Sequence, residues 1–257
     1  MSVIRLLVAV SALSAATLSH ADVRQVTVRV ENLAPSNGIA FAPLHVGFGN
    51  GSFDPFNLGQ TASAPIISVA EGGAGGAWQS AFAATDPGAV RGTIGGLLLA
   101  GASASQTFLV NTDNHGIFSF GTMVVPSNDF FIGNDSGLRL FDQHGNLTVN
   151  SLTIKASGIW DAGSEVFDPS AAAFVGNNSL RTPQGSVVAL NFAELAAFNG
   201  LTTAAGYVFS SNLSAATDVY RINFEVSAVP EPASAGLLLS GLLGVIGLRK
   251  FRGVKAD

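Results

Sequence analysis

The sequence predicts an all-β fold, an antiparallel β-sandwich with few short helices. Short segments alternate between apolar and polar residues with a period of two, which is typical of half-buried strands. Clusters of Gly, Pro, Asn and Asp separate these segments. Only 11% of the 257 residues are charged, while 30 are glycine. This balance favours strands and tight turns over surface helices, which use Glu and Lys.

The segment at residues 23–30 has the clearest strand pattern. Val26, Val28 and Val30 alternate with other residues, so these three side chains are predicted to face a core. A turn cluster follows at residues 31–38. Five further segments bounded by Gly, Pro, Asn or Asp are also predicted strands: residues 107–110, 117–125, 147–154, 186–192 and 219–226.

Helical patterns are few. Part of residues 66–82 and residues 192–198 have helical spacing of apolar side chains. Residues 70–77 are rich in Gly and Ala and are predicted to form a loop. Spaced strands with polar turns and little helix together predict a β-sandwich.

The first 21 residues have the pattern of a secretory signal peptide. Arg5 supplies the positive charge, and residues 6–18 form an apolar run that is too short to span a bilayer comfortably. Small residues at Ser19 and Ala21 predict cleavage before Asp22. The chain is therefore predicted to be exported across the inner membrane.

The C-terminal segment combines an apolar stretch with a basic cluster. Residues 233–248 are 16 residues without a charge, and Arg249, Lys250 and Arg252 follow them. The stretch is slightly short for a hydrocarbon core of about 30 Å, although flanking residues extend it. A single hydrophobic helix in the inner membrane is predicted, and the basic residues after it indicate a cytoplasmic C-terminus.

A proline-containing motif directly precedes this apolar stretch: Val229, Pro230, Glu231 and Pro232. The order of motif, apolar helix and basic cluster resembles the PEP-CTERM sorting signal of bacteria. The resemblance implies recognition by an exosortase-type processing enzyme, removal of the tail, and delivery to the cell surface or an extracellular polysaccharide matrix. A plain single-span anchor is the alternative, although an anchor needs no specific polar motif.

The region between the two terminal segments is acidic and lacks cysteine. Residues 22–232 contain 7 Lys and Arg against 16 Asp and Glu, a net charge of −9. Such a surface repels nucleic acid and attracts cations, and no basic patch with interleaved aromatic residues is present. We therefore predict no nucleic-acid partner. The absence of cysteine excludes disulfides, thiolate metal sites and cysteine nucleophiles.

Local signatures of enzymes are missing from the sequence. It has no Gly-x-Ser-x-Gly elbow, no His-Glu-x-x-His motif and no phosphate-binding Gly-Lys-Ser/Thr loop. Three histidines lie outside the signal peptide, at His45, His115 and His144, and the last two are in turn-forming contexts. The prediction is a protein that is not an enzyme. A Ser-His-Asp triad assembled across the fold remains open, because triads are geometric.

Three carboxylates lie next to predicted strands or in a short turn. Asp129 follows the apolar segment at residues 117–125, and Asp161 and Glu165 flank a Gly-containing turn. Three carboxylates together with carbonyls and water suit Ca²⁺, which takes 6–8 oxygen ligands. Without Cys or clustered His, Zn²⁺ is a poor candidate. An ordinary turn role is the alternative, since Asp in a turn commonly bonds its own backbone.

Six motifs in order resemble the bacterial form of the spondin N-terminal domain. The two most specific are the last two. The motifs are VRVENLAP at residues 28–35, PL at 43–44, GSFD at 51–54, VAEGG at 69–73, MVVPSNDFFIG at 123–133 and DAGSE at 161–165.

The spondin resemblance implies a C2-like β-sandwich with a divalent-cation site near one end, and a role in matrix and cell-surface adhesion. Carried over to this chain, the ligands are Asp129, Asp161 and Glu165. The chain departs from the family motif Asp-Ala-Gly-Thr-Asp because Ser164 replaces Thr and Glu165 replaces the second Asp. Glu is one methylene longer than Asp, so the geometry or affinity of the site differs from that of the family.

The predicted organisation is a signal peptide at residues 1–21, a spondin-like β-sandwich at residues 22–228 and a sorting tail at residues 229–257. The predicted function is that of an exported, non-enzymatic adhesion or matrix-associated protein that binds a surface macromolecule or extracellular polysaccharide. The alternative is a secreted hydrolase acting on envelope or matrix polymers, which needs a cleft holding a base and a nucleophile or activated water. A structural matrix component without a specific ligand is a third possibility.

Overall fold

The structure, a computed structural model, describes residues 23–229. The predicted signal peptide, Pro230, Glu231 and Pro232 of the sorting motif, and the apolar stretch at residues 233–248 lie outside the described residues. Within residues 23–229, no helix is both long enough and apolar enough to cross a membrane.

Four antiparallel strands form the first sheet, in the spatial order β5-β1-β12-β9. Val26, Val28 and Val30 of β1 are fully buried, which confirms the predicted inward face. Strand β1 pairs along its length with β5, from Val23 opposite Asn111 to Glu31 opposite Ser103. The strands of this sheet are β1 (Val23–Asn32), β5 (Ser103–Asn111), β9 (Ser151–Lys155) and β12 (Asp218–Ala228).

Eight strands form the second sheet, and its main path runs β11-β10-β7-β6-β3-β4. Strand β6 lies at its centre and also pairs with the two-residue strands β2 and β8. All the pairings are antiparallel. The strands are β2 (Ala40–Phe41), β3 (Leu44–Gly49), β4 (Val90–Ile94), β6 (Ile117–Val125), β7 (Phe130–Gly133), β8 (Leu138–Arg139), β10 (Trp160–Asp161) and β11 (Ala189–Leu190).

The two sheets share one apolar core made largely of aromatic and β-branched side chains. Phe118 of β6 meets Phe224 of β12 edge-to-face, with ring centroids 5.0 Å apart. The ring centroid of Phe48 in β3 lies 5.4 Å from that of Phe108 in β5. These contacts join the facing sides of two antiparallel sheets, as in a sandwich. The prediction of a mostly β protein built from antiparallel sheets is confirmed.

Two helices cover the other side of the second sheet: α1 (Ala64–Gly72) and α2 (Gly76–Thr85). Trp78 and Phe82 of α2 are almost completely buried in a second apolar cluster, which also contains Phe131 of β7. The side chains of β7 therefore alternate, since Phe130 and Ile132 belong to the core between the sheets.

The loop predicted at residues 70–77 is shorter in the structure, because only residues 73–75 separate the two helices. Gly73 ends α1 in the left-handed conformation, with φ of 62°, which glycine adopts without steric cost. Its N–H donates to the carbonyl of Val69 at 2.8 Å, and the N–H of Ala74 donates to the carbonyl of Ser68 at 3.1 Å. The glycines here end and restart helices.

Other boundaries also differ from the predictions. The segments predicted at residues 147–154 and 186–192 contain only the short strands β9 and β11, while the segment at 117–125 coincides with β6. Residues 192–198 form a 3-10 helix at Ala193–Phe198, and two further 3-10 turns occur at Ala156–Gly158 and Asn178–Leu180. Strand β3 is not predicted, although its residues Leu44, Val46 and Phe48 alternate with His and Gly. All six residues are buried, and its two glycines weaken the strand signal because glycine is depleted in strands.

Candidate functional site

Pairing between β7 and β10 brings two distant acidic segments together. Asp161 lies opposite Phe130 in this ladder, so Asp129, directly before β7, lies beside the turn that follows β10. The N–H of Ala162 donates to the backbone carbonyl of Asp129 at 3.2 Å. The sheet therefore fixes the relative position of Asp129 and the turn at residues 161–165.

The carboxylate of Asp129 holds this turn in place through hydrogen bonds. Its Oδ2 accepts hydrogen bonds from the N–H of Ser164 at 2.6 Å, the Oγ of Ser164 at 3.2 Å and the N–H of Glu165 at 3.0 Å. Among the described residues, none donates to Oδ1. Burial and, secondly, the charge of Asp161 raise the pKa of Asp129 to about 6, although the hydrogen bonds oppose this rise. Oδ2 of Asp129 therefore stabilises the turn, whereas Oδ1 has no donor within residues 23–229.

Asp161 accepts one hydrogen bond within its own turn and one from a residue that is distant in sequence. Its Oδ1 accepts from the N–H of Gly163 at 2.7 Å, and its Oδ2 accepts from the side-chain amide of Asn191 at 3.3 Å. Gly163 has φ of 64°, and a Cβ at this position would lie 2.8 Å from the carbonyl oxygen of Val187. Asp161 therefore performs the turn role that the sequence left open, and its charge also acts on Asp129.

Glu165 is buried to nearly the same extent as Asp129, and its two oxygens differ. Oε1 accepts from Nη1 of Arg181 at 3.2 Å, while Oε2 is buried and has no hydrogen-bond partner within residues 23–229. Burial first, and then the charge of Glu71, raise the pKa of Glu165 to about 7, against the opposing effect of Arg181. A buried carboxylate oxygen without a donor is costly unless a cation or proton serves it.

Arg181 links Glu165 to Glu71 at the end of α1. The same Nη1 lies 3.1 Å from Oε2 of Glu71. The segment after Arg181 runs beside the acidic turn, where the N–H of Gln184 donates to the carbonyl of Ser164 at 2.6 Å and that of Ser186 donates to the carbonyl of Gly163 at 2.8 Å. Sequence reasoning gave Arg181 no role. A signal was available, because it is one of only 7 basic residues in an acidic region.

The donor set of this loop cluster fits a hard cation. Carboxylate and carbonyl oxygens are the ligands that Ca²⁺ prefers, and the partnerless Oε2 of Glu165 is the kind of atom that an ion would serve. As the side chains are placed, no group of three Asp, Glu or His residues within residues 23–229 forms a ready metal-ligand cluster. The side chain of Glu165 is directed to Arg181 instead, so ion binding requires a side-chain rearrangement.

The histidines considered for a hydrolase have other partners. His45 is buried between the hydroxyl of Thr93 at 3.1 Å and the carbonyl of Gly73 at 3.0 Å, and burial lowers its pKa. It thereby ties the end of α1 to β3 and β4. Nε2 of His115 lies 3.7 Å from Oδ1 of Asp86. The hydrolase alternative stays a sequence-based hypothesis.

Comparison with known proteins assigns no family to this chain. No family model matches it, and no curated protein matches it either. The likeness to the spondin domain and to the PEP-CTERM signal therefore rests on the motifs described above, and it stays a prediction. The function is therefore inferred from the geometry of the loop cluster that contains Asp129, Asp161 and Glu165.

Proposed function

We propose that this chain is an exported, non-enzymatic adhesion or matrix-associated protein whose loop cluster binds a divalent cation, Ca²⁺. One observation carries the proposal. The buried carboxylate of Asp129 fastens the turn from Asp161 to Glu165, so three acids from two distant segments occupy one end of the second sheet. Their negative charges repel one another, and a bound cation would neutralise this repulsion.

The hydrogen bonds of the three acids indicate which of their oxygens would bind the ion. Asp129 offers Oδ1, Glu165 offers the buried Oε2, and Asp161 offers its carboxylate at the price of weaker turn bonds. Carbonyl oxygens and water would complete a coordination number of 6–8. The ion would supply positive charge that orders the turn, or it would bridge to an acidic group on a partner. A C2-like arrangement of the sandwich is part of this proposal.

Export and sorting complete the proposed function. The signal peptide would direct the chain across the inner membrane, and the tail at residues 229–257 would hold it there until an exosortase-type enzyme processes it. The protein would then reside at the cell surface or in the extracellular matrix. A polysaccharide or another surface macromolecule is the proposed partner, and the net charge of −9 in residues 22–232 favours contact through bound cations.

Thermal unfolding with and without calcium tests the proposed cation site. The full chain, purified in a mild detergent, should melt at a higher temperature with calcium and at a lower one with chelator. Binding to the folded state adds stability as RT ln(1 + [L]/Kd), about 2.7 kcal/mol at a 100-fold excess over Kd. Asp161→Ala should remove most of this response, and Asp129→Asn should weaken it.

Asp142→Ala is the matched control. Asp142 also accepts backbone hydrogen bonds in a turn, from His144 at 2.8 Å and Asn146 at 2.9 Å, but its turn is a separate one. This variant should lose some stability and keep the full calcium response. An unchanged melting temperature of the parent across millimolar calcium, the range of weak extracellular modules, would contradict the proposal.

A further inference from the structure

We propose that Arg181 is an internal counter-cation that competes with the divalent ion for Glu165 and so sets the affinity of the site. This inference rests on the proposed function. Nη1 of Arg181 lies within 3.2 Å of both a Glu165 oxygen and a Glu71 oxygen. One positively charged nitrogen therefore pairs with two carboxylates, and one of these is the carboxylate whose other oxygen, Oε2 of Glu165, is the proposed ligand of the ion.

The exposure of the three side chains shows which partner is able to leave. The side chain of Glu165 is 1% exposed and that of Glu71 is 17% exposed, whereas that of Arg181 is 42% exposed. Withdrawing Glu165 into water would require opening the turn that Asp129 fastens. Arg181 has only to turn outward from the surface, since no other described residue holds its guanidinium. The exchange therefore moves arginine and leaves the acid in place.

Charge balance explains why the arginine is present in the ion-free protein. A buried carboxylate without a counter-charge is strongly destabilising, and Oε2 of Glu165 already lacks a donor. Arg181 supplies one positive charge to this position. A divalent ion at Oε2 would supply a larger positive charge, and the bond from Arg181 to Glu165 would become redundant.

Glu71 decides how tightly Arg181 is held at Glu165. As long as Glu71 is charged, it shares the guanidinium and offers Arg181 a partner after the exchange. Removing that charge would leave Glu165 as the only carboxylate partner of Arg181 among the described residues. The two substitutions Arg181→Gln and Glu71→Gln are therefore expected to change calcium affinity in opposite directions.

Calcium titration by calorimetry on the full chain in detergent provides the test. Arg181→Gln should bind calcium more tightly than the parent, by about threefold to fivefold, the range expected for an ion pair of this exposure. Glu71→Gln should bind it more weakly by a similar factor. Arg221→Gln is the control, because Arg221 pairs with Glu31 at 3.5 Å on the first sheet, and its calcium affinity should match that of the parent.

A second readout reports the movement of Arg181 itself. Calcium should increase the rate at which a dicarbonyl reagent modifies Arg181 in the parent, measured by mass spectrometry, while the rate at Arg221 stays constant. This measurement decides the question even where Arg181→Gln fails to fold. A purely structural arginine would become no more reactive on calcium addition.

The outcomes separate this inference from the proposed function. Calcium binding by the parent, with equal or weaker binding by Arg181→Gln or a constant modification rate at Arg181, would overturn the competition and leave the site intact. Failure of both the parent and Arg181→Gln to bind calcium would overturn both proposals. Binding by Arg181→Gln alone would support the competition, because the arginine then blocks the site in the parent.

Discussion

Asp129 combines a structural role with a candidate ligand role in one side chain. Its Oδ2 holds the backbone of Ser164 and Glu165, while Oδ1 has no donor among the described residues. A carboxylate that is both buried and next to Asp161 holds its proton more strongly than one in water. The pKa of Asp129 therefore rises to about 6, and that of Glu165 rises to about 7.

These raised pKa values predict how stability depends on pH without calcium. The folded state binds protons at Asp129 and Glu165 more tightly than the unfolded state, in which carboxyl pKa values are about 4. Their stabilising contribution is complete below about pH 4 and is lost as the pH rises through 6 and 7. In chelator, the free energy of unfolding measured with urea should fall between about pH 5 and pH 8.

Calcium should reverse this trend, because it competes with the protons and binds best to the ionised pair. Asp129→Asn and Glu165→Gln should each flatten the calcium-free profile between pH 5 and pH 8. Asp142→Asn is the control, since hydrogen bonds from Asn146 and His144 lower the pKa of Asp142, and its titration lies below this window. A calcium-free stability that rises over the same window would show that these two acids are not buried as described.

The predictability of the site differs from residue to residue for physical reasons. Asp129, Asp161 and Glu165 lie in motifs with turn chemistry beside strand patterns, so local sequence indicates them. The joining of Asp129 to the turn is long-range, and it depends on the pairing of β7 with β10. Arg181 follows no local pattern at all, because its role arises only where three segments meet in space.

At the scale of elements, α2 packs against β3 at two glycines, Gly47 and Gly49, which have no side chain. A Cβ on Gly47 would collide with the ring of Phe82, and one on Gly49 would lie 2.8 Å from that ring. Phe82 is almost completely buried and stacks on Phe53 with a centroid distance of 4.2 Å. The glycines of β3 therefore let a large aromatic side chain lie directly on the sheet backbone.

Adding a methyl group at this contact should destabilise the protein. Gly47→Ala forces Phe82 or α2 to move, and overpacking of this kind costs about 1–3 kcal/mol. Gly72→Ala is the control, because a Cβ at Gly72 meets nothing within 4 Å, and Ala is the better helix former by up to about 1 kcal/mol. Urea unfolding should show a loss for the first variant and no loss for the second. Equal midpoints would contradict the packing of α2 on β3.

Sequence pattern identified the alternating strand β1 and the long apolar strand β6, but it missed short strands such as β3. Strand β1 alternates because one side meets solvent, and its prediction is confirmed. Strand β3 lies between the first sheet and the helices and also alternates, but its two glycines lower its strand propensity, because glycine is depleted in strands. The glycines between α1 and α2 predict a loop over residues 70–77, because glycine is typical of turns. The burial of Trp78 and Phe82 in the second apolar cluster stabilises α2, so only residues 73–75 remain outside the helices.

At the scale of the whole molecule, the fold places the candidate site at the ends of strands in the second sheet. The two sheets bury one large apolar cluster, and the helices bury a second on the outer side of the second sheet. The acidic turn after β10 and the loop before β7 lie where the strands of that sheet end. The ends of these strands hold the buried carboxylates of Asp129 and Glu165, while the side chain of Arg181 reaches the surface.

The proposed sorting of the chain gives a prediction for the molecule in the cell. Changing Pro230, Glu231 and Pro232 together to alanine leaves the apolar stretch at residues 233–248 unaltered, so membrane insertion should persist. Recognition by the processing enzyme should be lost, because it depends on the polar motif and not on hydrophobicity. Membrane fractionation and gel mobility should therefore show an unprocessed form in the inner membrane.

Ser234→Ala, next to the motif, is the matched control for this variant. It changes the flank of the apolar stretch without touching the motif, and it should be processed and released like the parent. The two variants separate two properties of one tail, the ability to enter the membrane and the ability to be recognised there. Should the triple variant also be released at the parental rate, the tail acts as a plain hydrophobic anchor that other proteases remove, and the proposed sorting to a surface or matrix would have to be abandoned.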